Sequence, residues 1–316
     1  VKTQLTNTER VTKALSDKRL KFKELQSATK LNADELSDAI HELRKLRSDL
    51  QFGKFDKCYF FTNTPTWYSN QTDLSRELSD EGRIGIISDT HLCSVADRLD
   101  LVNEAYDMFE HLGITHVFHN GDLTDGWAEY RNHISFVKVH GSQEQALYAI
   151  KNYPKRDGIK TYVIGGNHDD DYAKSKVDRL SLITKGFHHQ GKDVVGRSDI
   201  IYMGQYSHYV LFPQEVRLHM LHPRGNQAYA LSYKQQKRSE NMPKNDRPEI
   251  QTSGHYHTYT HLILDETHFL ACPGLQDETE FFKRLGFARS LGFMVVDYEI
   301  RKGKLHYLSP RVFMRQ

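Results

Sequence analysis

Five times along this chain a strand-like run stops abruptly at residues that bind cations or carry protons. Arg83-Ile-Gly-Ile-Ile-Ser runs into Asp89-Thr-His91, and Thr115-His-Val-Phe-His-Asn into Gly121-Asp122. Lys160-Thr-Tyr-Val-Ile runs into Gly165-Gly-Asn167-His168-Asp169, Leu218-His-Met-Leu into His222, and Ile250-Gln-Thr-Ser into Gly254-His255-Tyr-His257. Short apolar runs alternating with longer mixed segments read as the strands of an α/β fold. Open α/β sheets bind ligands at the carboxyl ends of their strands, and these polar groups all fall there.

The residue types indicate the chemistry. Asp89 and His91, two apart just past a strand, are good ligands for a borderline divalent cation. Gly121 lets the backbone come close to whatever Asp122 binds. Asn167 offers a neutral amide oxygen, and His168 is a candidate proton donor. Asp169 beside it can orient that ring or raise its basicity. His255 and His257 share one side of an extended segment, and His222 closes a strand-like run, with His219 as the fallback. Each piece alone is weak, because a lone strand-end histidine is more often a hydrogen-bonded core residue. The whole set in one order is not a chance pattern.

Eighteen of the 316 residues are histidine, while the net charge is only +2. A near-neutral balance excludes a strongly polycationic nucleic-acid binder but not a local basic patch. No run of about 18 apolar residues occurs, so no transmembrane helix is expected. The stretch VKTQLTNTER lacks the apolar core of a secretory signal. Cys58, Cys93 and Cys272 share no CxxC spacing, so a cytoplasmic, reducing environment is expected.

Residues 1–62 carry a different pattern. Thr6-Asn-Thr-Glu9 and Asn32-Ala-Asp-Glu35 are capping boxes. The first helix would present Val11, Ala14 and Leu15, the second Phe22, Leu25, Ala28 and Leu31, and the third Leu36, Ile40, Leu43 and Leu46. Gly53 can turn a hairpin that ends in Tyr59–Phe61. Three short helices and a hairpin resemble a winged helix-turn-helix, with the third helix for recognition. Thirteen Lys and Arg face nine Asp and Glu in this segment. Arg44, Lys45, Arg47, Lys54 and Lys57, near the helix end and wing, are the candidate DNA contacts. The alternative is a small helical cap or protein-binding module with a solvated charged face. Residues 63–82, polar and without an apolar period, read as a linker to a second domain at 83–316.

The order of the five motifs resembles the calcineurin-like metallophosphoesterase superfamily over residues 83 to about 275. The resemblance implies two packed mixed β-sheets flanked by helices. It implies that Asp89, His91 and His257 bind a first metal, that Asp122 bridges, and that Asn167, His222 and His255 complete a second site. His168 would act on the phosphate or the leaving group rather than ligate. Two divalent metal ions sharing a carboxylate sit about 4 Å apart and supply hydroxide near neutral pH. Mixed nitrogen and oxygen ligands suit Mn²⁺, with Fe or Zn²⁺ as alternatives, better than Mg²⁺ or Ca²⁺.

Two departures bear on the substrate. The phosphoserine/threonine phosphatases of the superfamily carry an arginine just after the second motif's distal aspartate, where this chain has Asp125-Gly126-Trp127. The fourth motif reads His222-Pro-Arg-Gly225 where many relatives have His-Gly. The expected function is a DNA nuclease or phosphodiesterase. The alternatives are a phosphoesterase on cyclic nucleotides or nucleotides, a phosphoprotein phosphatase, or a non-enzymatic DNA-binding relic. The basic stretch Tyr229–Lys244 is a further candidate contact. Asp125 is read as supporting a ligand, Tyr256 as packing, and His188-His189 as a surface pair.

Overall fold

The computed structural model describes residues 5–16, 20–46, 50–52, 58–61, 71–127, 129–130, 132–170, 178–243, 246–286 and 289–315. The chain divides into two units, residues 1–69 with 234–247, and residues 70–233 with 248–316. No helix among the described residues is long and apolar enough to cross a membrane.

In the smaller unit the capping boxes start helices as the sequence anticipates. The Glu9 carboxylate accepts the Thr6 N–H at 2.7 Å and opens α1 (Asn7–Ala14). After β1 (Leu20–Lys21) and α2 (Phe22–Thr29), the reciprocal Asn32/Glu35 bonds of 2.9 and 3.0 Å open α3 (Ala33–Leu46). β2 (Leu50–Phe52) and β3 (Cys58–Phe61) form the antiparallel hairpin, and β1 adds to the other edge of β3. A strand of two residues has no readable period, so β1 was not anticipated. Val11, Leu15, Leu25, Leu36, Ile40 and Leu43 form the core. Ala28 is exposed, and the buried position belongs to Thr29, whose hydroxyl donates to the Leu25 carbonyl at 2.7 Å. The side chains of Arg44 and Lys45, and all of Arg47, Lys54 and Lys57, lie outside the described residues. The basic stretch at 229–244 splits between the units, because residues from 234 onward group with the smaller one. Its helix Tyr233–Asn241 buries Gln235 and Ser239, and Lys237 pairs with Glu240.

The larger unit begins earlier than expected. Residues 71–82 read as part of a linker, yet β4 (Gln71–Asp73) pairs with Tyr209–Leu211 and Leu74 is buried. A three-residue edge strand is too short to show a period. The remaining strands are β5 (Glu81–Ile87), β6 (His116–His119), β7 (Lys160–Gly165), β8 (Gly186–His189), β9 (Lys192–Val195) and β10 (Ile200–Gln205). They continue with β11 (Ser207–Leu211), β12 (Arg217–Leu221), β13 (Ile250–Ser253), β14 (Thr260–Leu264), β15 (Thr267–Ala271), β16 (Leu291–Arg301) and β17 (Lys304–Arg315). One mixed sheet has the order β10-β7-β6-β5-β16-β17, the other β14-β15-β13-β12-β11-β4, and β8 and β9 make a separate hairpin.

The two sheets pack face to face. Ile84, Ile86, Phe118, Ile164 and Met294 from one meet Val210, Leu218, Met220, Ile250 and Leu270 from the other. On the outer face of the first sheet, Ile87, Val117, Val163 and Val295 pack under α4 (Leu99–His111) and α5 (Ser142–Asn152). β5, β6 and β7 are parallel and covered on both sides, hence their continuous apolar runs. Gly85 makes room for a helix residue, since a Cβ there would lie 2.9 Å from the Phe109 ring. Phe109 is wholly buried. Phe109→Ala is expected to lower the unfolding free energy by ~3–5 kcal/mol in urea titration.

Candidate metal centre

β5, β6 and β7 end side by side, and their pairing continues into the loops. The Asp89 N–H donates to the Gly121 carbonyl and the His91 N–H to the Asp122 carbonyl, both at 3.0 Å. The chain then turns sharply at the functional residues themselves. Asp89, His91, Asp122, His255 and His257 have φ of 52°, 41°, 54°, 78° and 49°. That left-handed region costs a non-glycine residue about 1–3 kcal/mol, and such strain gathers at functional sites. Gly121 and Gly166 allow the loops to close in. A Cβ would lie 2.4 Å from His222 Nδ1 at the first and 2.1 Å from Asp122 Oδ1 at the second.

All seven sequence-predicted ligands converge. His91 Nε2 lies 3.2 Å from His257 Nε2, and Asp89 Oδ1 lies 3.4 Å from the latter. His222 Nε2 and His255 Nδ1 lie 3.1 and 2.9 Å from Asn167 Oδ1. Asp122 Oδ2 sits between these clusters, 3.7 Å from His91 Nε2 and 3.2 Å from His222 Nε2. Asp89, His91, Asp122, His222 and His257 are buried. His219 is not in the set, because it stacks on Tyr209 at 4.3 Å and bonds Gln251 across the sheet.

The donor set fits two divalent cations. The Asn120 carbonyl can only accept, so His222 Nδ1 donates to it at 2.7 Å. His91 Nδ1 donates to Asp125 Oδ1 at 2.9 Å. Each acceptor directs the Nε2 lone pair of its histidine inward, as metal binding needs. Asp89, His91 and His257 can hold one ion, and Asp122, His222 and His255 with Asn167 the other.

Burial would raise the Asp89 and Asp122 carboxyls, but neighbouring histidines hold both below the usual carboxylate range. His222 is pushed up to about 9: burial opposes its charge, and Asp122 outweighs the burial. His168 rises to about 10, with Asp122 and Asp125 overcoming burial. His257 falls to about 4 through burial, and Arg289, whose Nη2 donates to His257 Nδ1 at 3.0 Å, helps keep it unprotonated.

The structure corrects one catalytic assignment. Asp169 does not touch the His168 ring. Its carboxylate accepts the N–H groups of Leu123, Thr124 and Gly166 at 2.9–3.1 Å and ties two loops together. In the short turn Gly-Asn-His-Asp, side chains of successive residues point apart, which adjacency in sequence conceals. The partner of His168 is Asp125, through its carbonyl at 2.6 Å and its carboxylate at 3.4 Å. Asp125 also holds His91, as the sequence suggested, and His133, at 3.1 Å, which it did not. His133 follows no strand and stands in no motif, so no signal marked it. Tyr256, read as packing, lines a cavity of about 200 Å³ over the cluster. His188 and His189 bond Asp193 and Gln143 and belong to no metal cluster among the described residues.

Three outcomes follow from these contacts. Metal-free, His222 holds a proton at pH 7 that must leave before Nε2 can bind a cation. Its pKa is raised, so affinity for Mn²⁺ increases from pH 7 to about 9 and then levels off. The slope is about tenfold per unit for one displaced proton. Calorimetry in buffers of different ionisation enthalpy reads that proton directly. Asp125→Asn is expected to lower Mn²⁺ affinity or turnover by ~10–100-fold. Asp169→Ala acts on stability instead, by about 1–3 kcal/mol for each buried N–H left unpaired. Thermal melting beside metal titration separates the two.

Comparison with known proteins agrees with this geometry. Residues 83–289 match the family model of the calcineurin-like phosphoesterase superfamily domain. No curated protein matches the sequence. Among solved structures, an archaeal phosphodiesterase is 15% identical with a TM-score of 0.40, over 73% of this chain and 100% of that one. A predicted phosphoesterase from Streptococcus pneumoniae TIGR4 is 16% identical (TM-score 0.36; 75% and 100% covered). Zinc-bound Vps29 from Entamoeba histolytica is 12% identical (TM-score 0.35; 74% and 99%). The family model spans about two thirds of the chain. The chain belongs to the calcineurin-like phosphoesterase superfamily and is a metal-dependent phosphoesterase.

Proposed function

We propose that this phosphoesterase hydrolyses the phosphodiester bonds of DNA, with Mn²⁺ as its metal. The observation that carries the hydrolytic reading is the place of Asp122 Oδ2 between two histidine clusters. Asp89, His91 and His257 would hold the first cation and Asn167, His222 and His255 the second, with the Asp122 carboxylate between the two groups. When bound there, divalent cations would neutralise charge on the phosphoryl oxygens and supply a water-derived nucleophile near neutral pH. Hydrolysis bonds a water oxygen to phosphorus and breaks the bond to the leaving oxygen, which needs a proton. His168 lines the cavity, and with Nδ1 tied to Asp125 its Nε2 is the nitrogen left for that oxygen. The Asp125 carbonyl and carboxylate beside Nδ1 favour the charged form of the ring, as a general acid requires.

The smaller unit supports DNA as the substrate. Its order of helix, strand, two helices and an antiparallel hairpin, with β1 on the edge of β3, fits a winged helix whose α3 enters a groove. A tethered DNA-binding module raises the local concentration of phosphodiesters at the site.

With Mn²⁺, the wild type is expected to cleave linear duplex, circular single-stranded or circular duplex DNA on a gel, and Asp122→Asn to cleave none. Cut circles identify an endonuclease. If bis-p-nitrophenyl phosphate is hydrolysed and no DNA is cut, DNA is the wrong substrate and small phosphodiesters replace it. His168→Ala is expected to keep both metals and lose about 10²–10⁴-fold in turnover.

A further inference from the structure

We propose that the cavity over the metal centre seats the base of one unpaired nucleotide beside the phosphorus that is attacked. This rests on reading the site as a phosphodiesterase and adds what its substrate must look like. Beyond the cluster itself, the cavity is lined by Tyr130, Tyr256, Phe282, Glu129, Asn226 and Gln227, among others.

Each aromatic ring rests on a histidine that belongs to the cluster or supports it. Tyr130 stacks on His133 at 4.4 Å and 27°. Tyr256 meets His255 at 5.1 Å, and Phe282 meets His257 at 4.8 Å, with the Arg289 guanidinium 4.1 Å from the Phe282 ring. His133 is itself fixed: Nδ1 accepts the Glu129 N–H and Nε2 bonds Asp125 Oδ2, both at 3.1 Å. The Asp125 that holds His91 and His168 therefore also sets the height of the Tyr130 ring. A planar group packed on these rings is placed at a set distance from the cations before any contact to its phosphate forms.

The wall chemistry selects that planar group. Aromatic rings take a base by stacking, with little preference among bases. Asn226 offers an amide donor and acceptor, and Gln227, whose Nε2 also donates to Thr258 Oγ1 at 3.1 Å, offers its oxygen and a second N–H, the complement of a base edge. A base inside a duplex is covered on both faces and paired at its edge, so a cavity of about 200 Å³ admits it only when unpaired. The substrate is then a strand end or a single-stranded segment.

The test uses the full chain loaded with Mn²⁺ and two chromogenic diesters. One is the p-nitrophenyl ester of thymidine 5′-phosphate, the other that of abasic 2-deoxyribose 5-phosphate. Both share the nitrophenyl ring, so their difference reads the base alone. The base is expected to raise kcat/KM about 5- to 100-fold, mostly through KM, the range for stacking on an aromatic side chain. Tyr130→Ala should shrink that ratio below about threefold, and Tyr130→Trp should restore it. Equal kcat/KM for the two esters in the wild type overturns the proposal and leaves the phosphodiesterase reading intact. Hydrolysis of neither ester removes the reading and the proposal together.

Discussion

The carboxylate of Asp122 joins every part of the site. Its Oδ1 accepts the His168 N–H at 2.8 Å, its Oδ2 lies between the two histidine clusters, and its backbone carbonyl accepts from His91. The loops after β5, β6 and β7 are thereby held at one point, with a left-handed turn at Asp122 itself. Such a turn survives only where the surroundings over-determine it. Here the strand pairing, Gly121 and Gly166 supply that constraint.

A second constraint is charge. Asp89, Asp122, Asp125 and Asp169 are all buried within the same group of strand-end loops. Burying like charges together is costly unless each has a partner. Asp169 takes backbone N–H groups, and Asp125 takes three histidines. Asp89 and Asp122 face histidine nitrogens that also point inward, an arrangement that divalent cations complete by displacing their protons. Charge balance thus divides the four carboxylates into two whose partners support the loops and their histidines and two that face the histidine clusters of the candidate metal centre.

Much of this was legible in the chain. The apolar runs of β5, β6 and β7 end at Asp89, Asp122 and Asn167, because a strand buried on both faces must be apolar up to the point where it leaves the sheet. The helices of the smaller unit announced themselves through capping boxes at Thr6 and Asn32. The two-residue β1 and three-residue β4 did not, since a period cannot be read in so few positions. The partner of His168 was misassigned to Asp169 because neighbours in sequence do not share a side in a tight turn.

Sequence order by itself determined the family, the seven positions that converge in the candidate metal centre and the apolar strands, because each depends on residue type and local spacing. Only the tertiary structure decided that Asp125 serves His91, His133 and His168 at once. It alone brought Tyr130, Tyr256 and Phe282 to one cavity over the metal centre. Tyr130 and Tyr256 come from loops more than a hundred positions apart and Phe282 from the helix Glu280–Leu285, and no local period or cap records which segments the packing of two sheets brings side by side.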